Sequence, residues 1–486
     1  MDRFKYRKLD GSNEKISCLK CKRKLINSMQ LCKRCFILEK GYLVVNSGNK
    51  NIDNFIKESQ SSVNRFLEWV PYDEFENIKY IGKGGFSKIY KATWKRYNGI
   101  KYDGTIRRFE TEVVLKVLNN SQNVDSEFLK ELKHTFQFDR NMYNTRNIIK
   151  CFGVTQDPQT KNYAFILDYA LDGDLHHFVY KNFEEFTWKE KIRYLCGIIE
   201  GIKRIHKKKI IHRDLHSGNI LVDNPRSIAI SDLGFSQPAS NGSRKSQIYG
   251  IIPYTAPELF KDQPYSYASD IYSFGMIMWE LTSGHRPFHD QEHGPKLILD
   301  ILDGKRPEIT EDTPECWVNL MKRCWHPNPS QRPTIQEIHE MSSEFRTYRF
   351  KYELEFDEAE KKRLEMELEF DEAEKKRLEM VESKKPFVKN PGYEHPNSRY
   401  YSRSLNSMLE SINTTITDLS IDDFDIMNIN SNQENNFVSN NSSVAENIKK
   451  HFLNELLQEN IEDQNDFKRR KIAEYFDECF AGLIKK

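Results

Sequence analysis

An acid and an amide, Asp214 and Asn219, stand five residues apart inside the apolar frame "IIHRDLHSGNIL". A carboxylate there can accept a hydrogen bond from an attacking hydroxyl and take its proton, and an amide oxygen can ligate magnesium. Moving a phosphoryl group from a nucleotide needs, besides those two, a cover for the phosphates, a cation upon them and a second metal ligand. The chain offers each in order. "GKGGFS", running within Ile81, Gly82, Lys83, Gly84, Gly85, Phe86, Ser87, Lys88 and Ile89, lets backbone approach phosphates because Gly82 and Gly84 carry no side chain. Lys116 ends "VVLK", and Glu131 follows in "EFLKELK", with Glu127 one turn earlier as an alternative partner for the ammonium. "AISDLGFS" adds Asp232, and "PYTAPELF" adds Glu258. One carboxylate and one amide suit magnesium, which keeps water and phosphate oxygens for its other positions. A glycine turn, or a lysine at a strand end, would mean little alone. Five such motifs in order are hard to reach by chance.

These groups need elements to hold them. "IKYIGKGGFSKIYKATW" alternates apolar and polar residues around its glycines, as a hairpin does, and "TEVVLKVL" reads as the next strand. "DSEFLKELKHTFQF" has helical spacing through Phe128, Leu132 and Phe136. Beyond Trp188 the apolar period is mostly helical, as in "KIRYLCGIIEGIKRIH" and "SDIYSFGMIMWELTSG". Strands early and helices late predict an α+β fold of two lobes, a β-rich one and then a helical one.

Around this segment, placed at residues 75–346, the chain is uneven. It has 486 residues, 38% hydrophobic and 30% charged, so part of it is expected not to pack. Lys plus Arg total 74 against 72 for Asp plus Glu, which gives no overall field for nucleic acid or an acidic membrane. No apolar run has the length of a membrane span, the N-terminus lacks a secretory core, and neither Asp2 nor the ending "GLIKK" suits lipidation. Nine dispersed cysteines argue against a disulfide framework. The expectation is a soluble, intracellular, cytoplasmic protein. Residues 41–74 read as a connector whose Phe66, Trp69 and Val70, with Phe75 just beyond, look ready to pack. Residues 347–385 contain "ELEFDEAEKKRLEM" twice; neither heptad frame gives a clean seam, since one places Asp357 and Lys361 there and the other Arg363, so a solvated helix with Glu-to-Lys pairs is expected. Residues 386–444, rich in Asn, Ser, Asp and Pro, read as a disordered linker. Residues 445–486 read as an amphipathic helical tail that could dock on the main domain, on a partner protein or on another copy.

The ordered set of motifs resembles the eukaryotic protein kinase domain, and most closely the tyrosine-kinase-like group. The lead-in "NSGNKNIDNFIKE…EWVPYDEF" and "HSGNIL" resemble kinases expanded in arbuscular mycorrhizal fungi. The resemblance implies a two-lobed kinase fold, ATP and magnesium as cofactors, and protein substrates. It implies that Gly82 to Ile89 cover ATP and that Lys116, held by Glu131, binds its phosphates. Leu167 would be the gatekeeper, and Asp168 and Ala170 hinge positions beside adenine. Asp214 would be the proton acceptor, with Asn219 and Asp232 on magnesium. Glu258 and Arg332 would form a structural ion pair, Asp270 would anchor the catalytic loop, and Arg213 would await a phosphate, with Ser240, Ser243 and Ser246 as candidate acceptors. Ser87 replaces the third glycine, and Leu233 the usual Phe after the metal-binding acid. The basic stretch between Ala92 and Val113 reads as a hairpin. His216 fits neither the serine/threonine nor the tyrosine habit, and Ile251 stands where a Thr is usual. His216 could touch the γ-phosphate or serve only within its loop. Transfer to Ser/Thr is expected because the group mostly does this, with Tyr as the lesser outcome. A catalytically weak scaffold is the alternative, disfavoured by the intact Lys116, Asp214, Asn219 and Asp232.

"CLKCKRKLINSMQLCKRC" sets Cys18, Cys21, Cys32 and Cys35 at C-x2-C-x10-C-x2-C, the spacing of a closed tetrahedral zinc site within residues 1–40. The surrounding lysines invite a nucleic-acid reading, but no aromatic platform lies between the cysteine pairs. A small structural or protein-binding knob fits better.

Overall fold

In the computed structural model the described residues are 46–61, 67–100, 106–122, 126–137, 147–223, 227–234, 236–238, 247–347 and 358–412. The Cys18, Cys21, Cys32 and Cys35 cluster, Phe66, the candidate acceptors Ser240, Ser243 and Ser246, and the 445–486 tail lie outside them. The chain divides into two compact units, residues 1–173 with 221–234, and residues 174–220 with 235–486.

The first unit is built on a six-stranded sheet. Helix α1 (Lys50–Ser61) leads into β1 (Glu68–Trp69), β2 (Phe75–Lys83), β3 (Ser87–Ile100), β4 (Ile106–Leu118), α2 (Ser126–Gln137), β5 (Cys151–Gln156) and β6 (Tyr163–Asp168). The strand order is β1-β5-β6-β4-β3-β2, antiparallel except where β1 runs parallel to β5. The β3–β4 ladder extends to Ile100 opposite Ile106, so the basic insertion is a long hairpin arm.

Period-two alternation sorts β4 and β6 between two cores. Val113, Leu115, Val117, Ala164 and Ile166 join Trp94 and Phe152 on one face. Phe165 and Leu167 join Phe128, Leu132 and Phe136 of α2 on the other, with Val114 and Leu118 packed against them. Lys116 has the parity of Val114 and Leu118, so the ladder turns it to the face that carries α2.

The segment expected as a connector is part of this unit. Ile52 and Ile56 of α1 are fully buried in the α2 core, and Leu67 with them. Backbone hydrogen bonding carries β1 onto the sheet edge beside β5, where Val70 N donates to Val154 O at 3.0 Å. Gly153 permits the approach, since a Cβ there would lie 2.0 Å from Glu68 O. The sequence shows the apolar residues of this lead-in without the edge that receives them.

β8 (Ile220–Val222) pairs with β9 (Ile228–Ile230). The second unit is mostly helical: α3 (Leu175–Lys181), α4 (Trp188–Lys207), α5 (Pro257–Phe260), α6 (Tyr267–Ser283), α7 (Pro295–Leu302), α8 (Glu315–Cys324), α9 (Ile335–Thr347) and α10 (Glu358–Glu382). Short pairs complete it, β7 (Ile210–Ile211) with β10 (Gln237–Pro238), and β11 (Tyr249–Gly250) with β12 (Arg403–Ser404). Helix α6 is buried nearly all round, and its N-terminus is closed by a reciprocal Ser266/Ser269 capping box.

Two expectations for the C-terminal half need correction. The second copy of the repeat is not a solvated helix: Phe370, Ala373, Arg377 and Met380, with Met366 at the end of the first copy, form one buried stripe. Phe370 meets Trp188, ring centroids 5.9 Å apart, and Glu369 and Glu374 accept from Cys316 N and Trp188 N at 2.8 Å. Arg377 sits in the seam because its guanidinium is satisfied there, donating to Glu184 O at 2.6 Å and to Glu374. The second correction concerns residues 386–412. They run as an ordered strap over the helical unit, through Phe387 against Phe183, β12, and a helical turn at 406–412. A composition poor in large apolar residues concealed how well its few anchors are seated, among them Leu405, which is fully buried.

Candidate active site

In the sheet unit, Lys116 Nζ lies 2.8 Å from Glu131 Oε1 and 2.8 Å from Asp232 Oδ1. Glu131 reaches it because Leu132 and Phe128, the residues that seat α2 on the sheet, fix the helix's rotation. Glu127 has no described side chain. Burial opposes the charge on Lys116, but the Asp232 and Glu131 carboxylates outweigh it and raise the ammonium's pKa. Burial pushes the Glu131 carboxyl up, with Asp232 adding to this and Lys116 opposing it. Two carboxylates thus share one ammonium. Asp232 itself stands at φ 58°, a strained position for a non-glycine residue, and receives Gly234 N at 3.3 Å.

The glycine-rich turn joins β2 and β3, closed by Gly84 N donating to Ser87 O at 2.8 Å. A Cβ on Gly82 would meet nothing within 4 Å, so protein packing does not require glycine there; close approach by a ligand would. Ser87 is buried, and its hydroxyl would lie 3.1 Å from a Cβ at Gly84. Phe86 at the tip is exposed. Leu167 and Asp168 end β6, and Ala170 follows, its carbonyl accepting from Gly173 N at 3.3 Å.

In the helical unit, Asp214 follows β7 on a loop held from behind by α6. The Asp270 carboxylate accepts from His212 N at 2.8 Å, Arg213 N at 3.0 Å and His206 Nε2 at 2.9 Å. Burial works against that charge, yet these donors hold the Asp270 carboxyl below its ordinary pKa. They also hold Arg213 at φ 74°. The Arg213 guanidinium stacks 3.9 Å from the Tyr265 ring centroid.

Asn219 Nδ2 donates to Asp214 O at 2.9 Å and lies 3.3 Å from Asp214 Oδ2, which turns its carbonyl oxygen away from Asp214. His216 caps the 3-10 turn Ser217–Asn219: its Nδ1 accepts from Gly218 N at 3.1 Å. That places the proton on Nε2, 3.8 Å from Asp214 Oδ2. Ser402 Oγ donates to the same Oδ2 at 2.6 Å.

Sequence reasoning missed one supporting network. Ser217 Oγ, Tyr254 OH, Glu280 and His176 form a chain, buried as far as Glu280, with steps of 3.3, 2.7 and 2.8 Å. Its members come from separated segments, and only the placement of Tyr254 beside the "APE" motif hinted at it. Glu258 and Arg332 form a two-pronged pair, both contacts 2.7 Å. Leu233 is buried, as an apolar residue in that slot must be.

A family model described as protein tyrosine and serine/threonine kinase matches residues 75–341, more than half of the chain. The chain belongs to that family. The chain is 29% identical over 273 residues to a protein named as a serine/threonine-protein kinase/receptor in Acanthamoeba polyphaga mimivirus, a match covering 56% of this chain and 15% of that one. It is 29% identical over 270 residues to mitogen-activated protein kinase kinase kinase 13-B of Xenopus laevis and 28% over 269 to the Mus musculus protein numbered 13, covering 55% of this chain and 25% of each. It therefore spans a quarter or less of these relatives' length. No helix among the described residues is long and apolar enough to cross a membrane, and no group of His, Cys, Asp or Glu among them is arranged to hold a metal by itself.

Proposed function

We propose that the chain is an ATP-dependent protein kinase that transfers the γ-phosphoryl group to protein hydroxyls, mainly of Ser and Thr. The observation that carries this reading is Lys116 at 2.8 Å from both Glu131 and Asp232. A buried ammonium shared by two carboxylates is a phosphate clamp that can give up one partner to a metal. Magnesium fits the donors: the Asn219 carbonyl oxygen is turned outward by its amide's bonds, and Asp232 is a carboxylate held in a fixed turn. Magnesium, when bound, would neutralise phosphate charge as it develops. In this reading the glycine turn covers the phosphates, Leu167, Asp168 and Ala170 border adenine, Lys116 holds the phosphates, and Asp214 orients the hydroxyl and accepts its proton. Asp270 is a positioning residue, acting through the backbone amides of His212 and Arg213.

Purified wild-type, Asp214→Asn and Lys116→Ala chains incubated with ATP, magnesium and casein test the reading. Transfer by wild type and none by either variant, with folding retained, is expected; wild-type rates in either variant would overturn the assignment. Phosphoamino-acid analysis of the product reads the acceptor preference, and phosphotyrosine alone would reverse it. Placement in the tyrosine-kinase-like group, with the lead-in likened to fungal kinases, rests on motif resemblance. Zinc at Cys18, Cys21, Cys32 and Cys35 rests on spacing, and metal analysis of the full chain should find about one zinc, lost on Cys18→Ser with Cys32→Ser.

A further inference from the structure

We infer that Ser402 is the acceptor of an intramolecular phosphoryl transfer, the strap 386–412 being the kinase's own tethered substrate; this rests on the kinase reading above. Ser402 is buried, and its hydroxyl donates to Asp214 Oδ2 at 2.6 Å, the bond a substrate hydroxyl makes to the group that accepts its proton.

The strap is held on both sides of Ser402 as a bound peptide would be. On the C-terminal side, β12 pairs antiparallel with β11, Arg403 opposite Gly250 and Ser404 opposite Tyr249. Leu405 N donates to Ile248 O at 2.9 Å, and Ile248 N to Asn406 Oδ1 at 2.8 Å. The Leu405 side chain is fully buried. On the N-terminal side, Tyr400 stacks edge-on to His293 at 4.7 Å, lies under the Arg286 guanidinium at 4.7 Å and donates to Pro287 O at 3.0 Å. His293 Nδ1 accepts from Arg399 N at 3.0 Å, and Arg403 Nη2 donates to His293 O at 2.8 Å. Backbone pairing gives the strap its direction and register, and the two side-chain anchors fix which residue faces Asp214. That register is Ser402, with a tyrosine two residues before and a leucine three after.

In the reaction, Ser402 Oγ attacks the γ-phosphorus of ATP, the bond from that phosphorus to the bridging β–γ oxygen breaks, and ADP leaves. The hydroxyl proton passes to Asp214. The product carries about two negative charges beside the Asp214 carboxylate, which expels the strap and opens Asp214 to other hydroxyls.

The test mixes full-length wild type with an isotopically heavy Asp214→Asn chain, ATP, magnesium and casein, at several protein concentrations. Mass spectrometry reads Ser402 on each chain. Phosphate on Ser402 of the light chain alone, at a rate independent of concentration, is the expected result. Casein phosphorylated with Ser402 bare would overturn this inference and leave the kinase reading intact. Equal label on the heavy chain would overturn transfer in cis. No phosphate on either Ser402 or casein, including with a Leu405→Asp chain whose strap is unseated, would overturn both.

Discussion

Lys116 and Asp214 are both buried charges, and the two units hold them by different means. Lys116 is fixed by other charges: a helix carboxylate and a turn carboxylate share its ammonium, each at 2.8 Å. Asp214 is fixed through backbone and neutral donors, with Asp270 gripping the amides before it and Asn219 and Ser402 donating to it. A charge held by charges is sensitive to any change of local ionisation, and a metal or phosphate can redraw it. A charge held by amides keeps its place while its partners come and go. The first arrangement suits a clamp, the second a proton acceptor that must meet successive hydroxyls in one geometry.

The largest effect that would break this contrast is at the reacting groups. Asp214→Asn should lower the transfer rate by about 10²–10⁴-fold and Lys116→Ala by about 10²–10³-fold, read as initial rates on casein. The Asp270→Asn chain should fall less and in kcat, with KM for ATP unchanged, if it acts only by positioning. Next comes scaffold stability in the helical unit. Arg332→Ala leaves the buried Glu258 carboxylate unpaired and should cost about 3–5 kcal/mol in denaturant unfolding. No comparable loss is expected from Lys385→Ala, whose partner Glu311 is largely exposed.

A smaller effect sharpens the view of buried charge. Lys191 is buried beneath the repeat helix, 3.6 Å from Asp312, and burial lowers its pKa from 10.5 to about 8. Between pH 8 and 10.5 the folded chain therefore binds fewer protons at this site than the unfolded chain. Its contribution to stability rises with pH across that window, is lost as pH falls through it, and is flat below it. Unfolding of wild type against Lys191→Met should show the difference as a slope, on the order of 3 kcal/mol across the window. The smallest effect is at His216. With Nδ1 occupied by Gly218 N, its loss should cost about 1 kcal/mol of loop stability, and turnover of wild type and His216→Lys should follow the same course from pH 6 to 8. A pH dependence that the lysine abolishes would instead assign it a phosphate contact.

The sequence was most informative where chemistry fixes both residue type and spacing. Lys116, Glu131 and Asp232 could be read as a set, and their meeting follows from strand parity and the seating of α2. It was least informative where a partner surface decides the outcome. The repeat at 353–380 contains two identical copies, so nothing local tells the second that its Phe370 frame will be buried against Trp188, or that an arginine in that frame will find Glu184 O. The strap was misread for the same reason: Leu405, Tyr400 and Ser402 are scattered in a polar stretch, and only the surface around His293 and Ile248 makes them a pattern. The lead-in from α1 to β1 lay between these cases, its apolar residues visible and its sheet edge not.

The chain between the repeat helix and β12 is short and anchored at both ends, which sets the effective molarity of Ser402 at Asp214. A hydroxyl so tethered meets its acceptor at millimolar or higher local concentration, whatever the amount of protein in solution. A diffusing protein substrate at micromolar concentration then competes only for the fraction of molecules whose strap is detached, and its apparent affinity is multiplied by that fraction. Throughput on other proteins is thereby governed by how firmly Leu405 and Tyr400 are seated, two residues that need never touch those substrates.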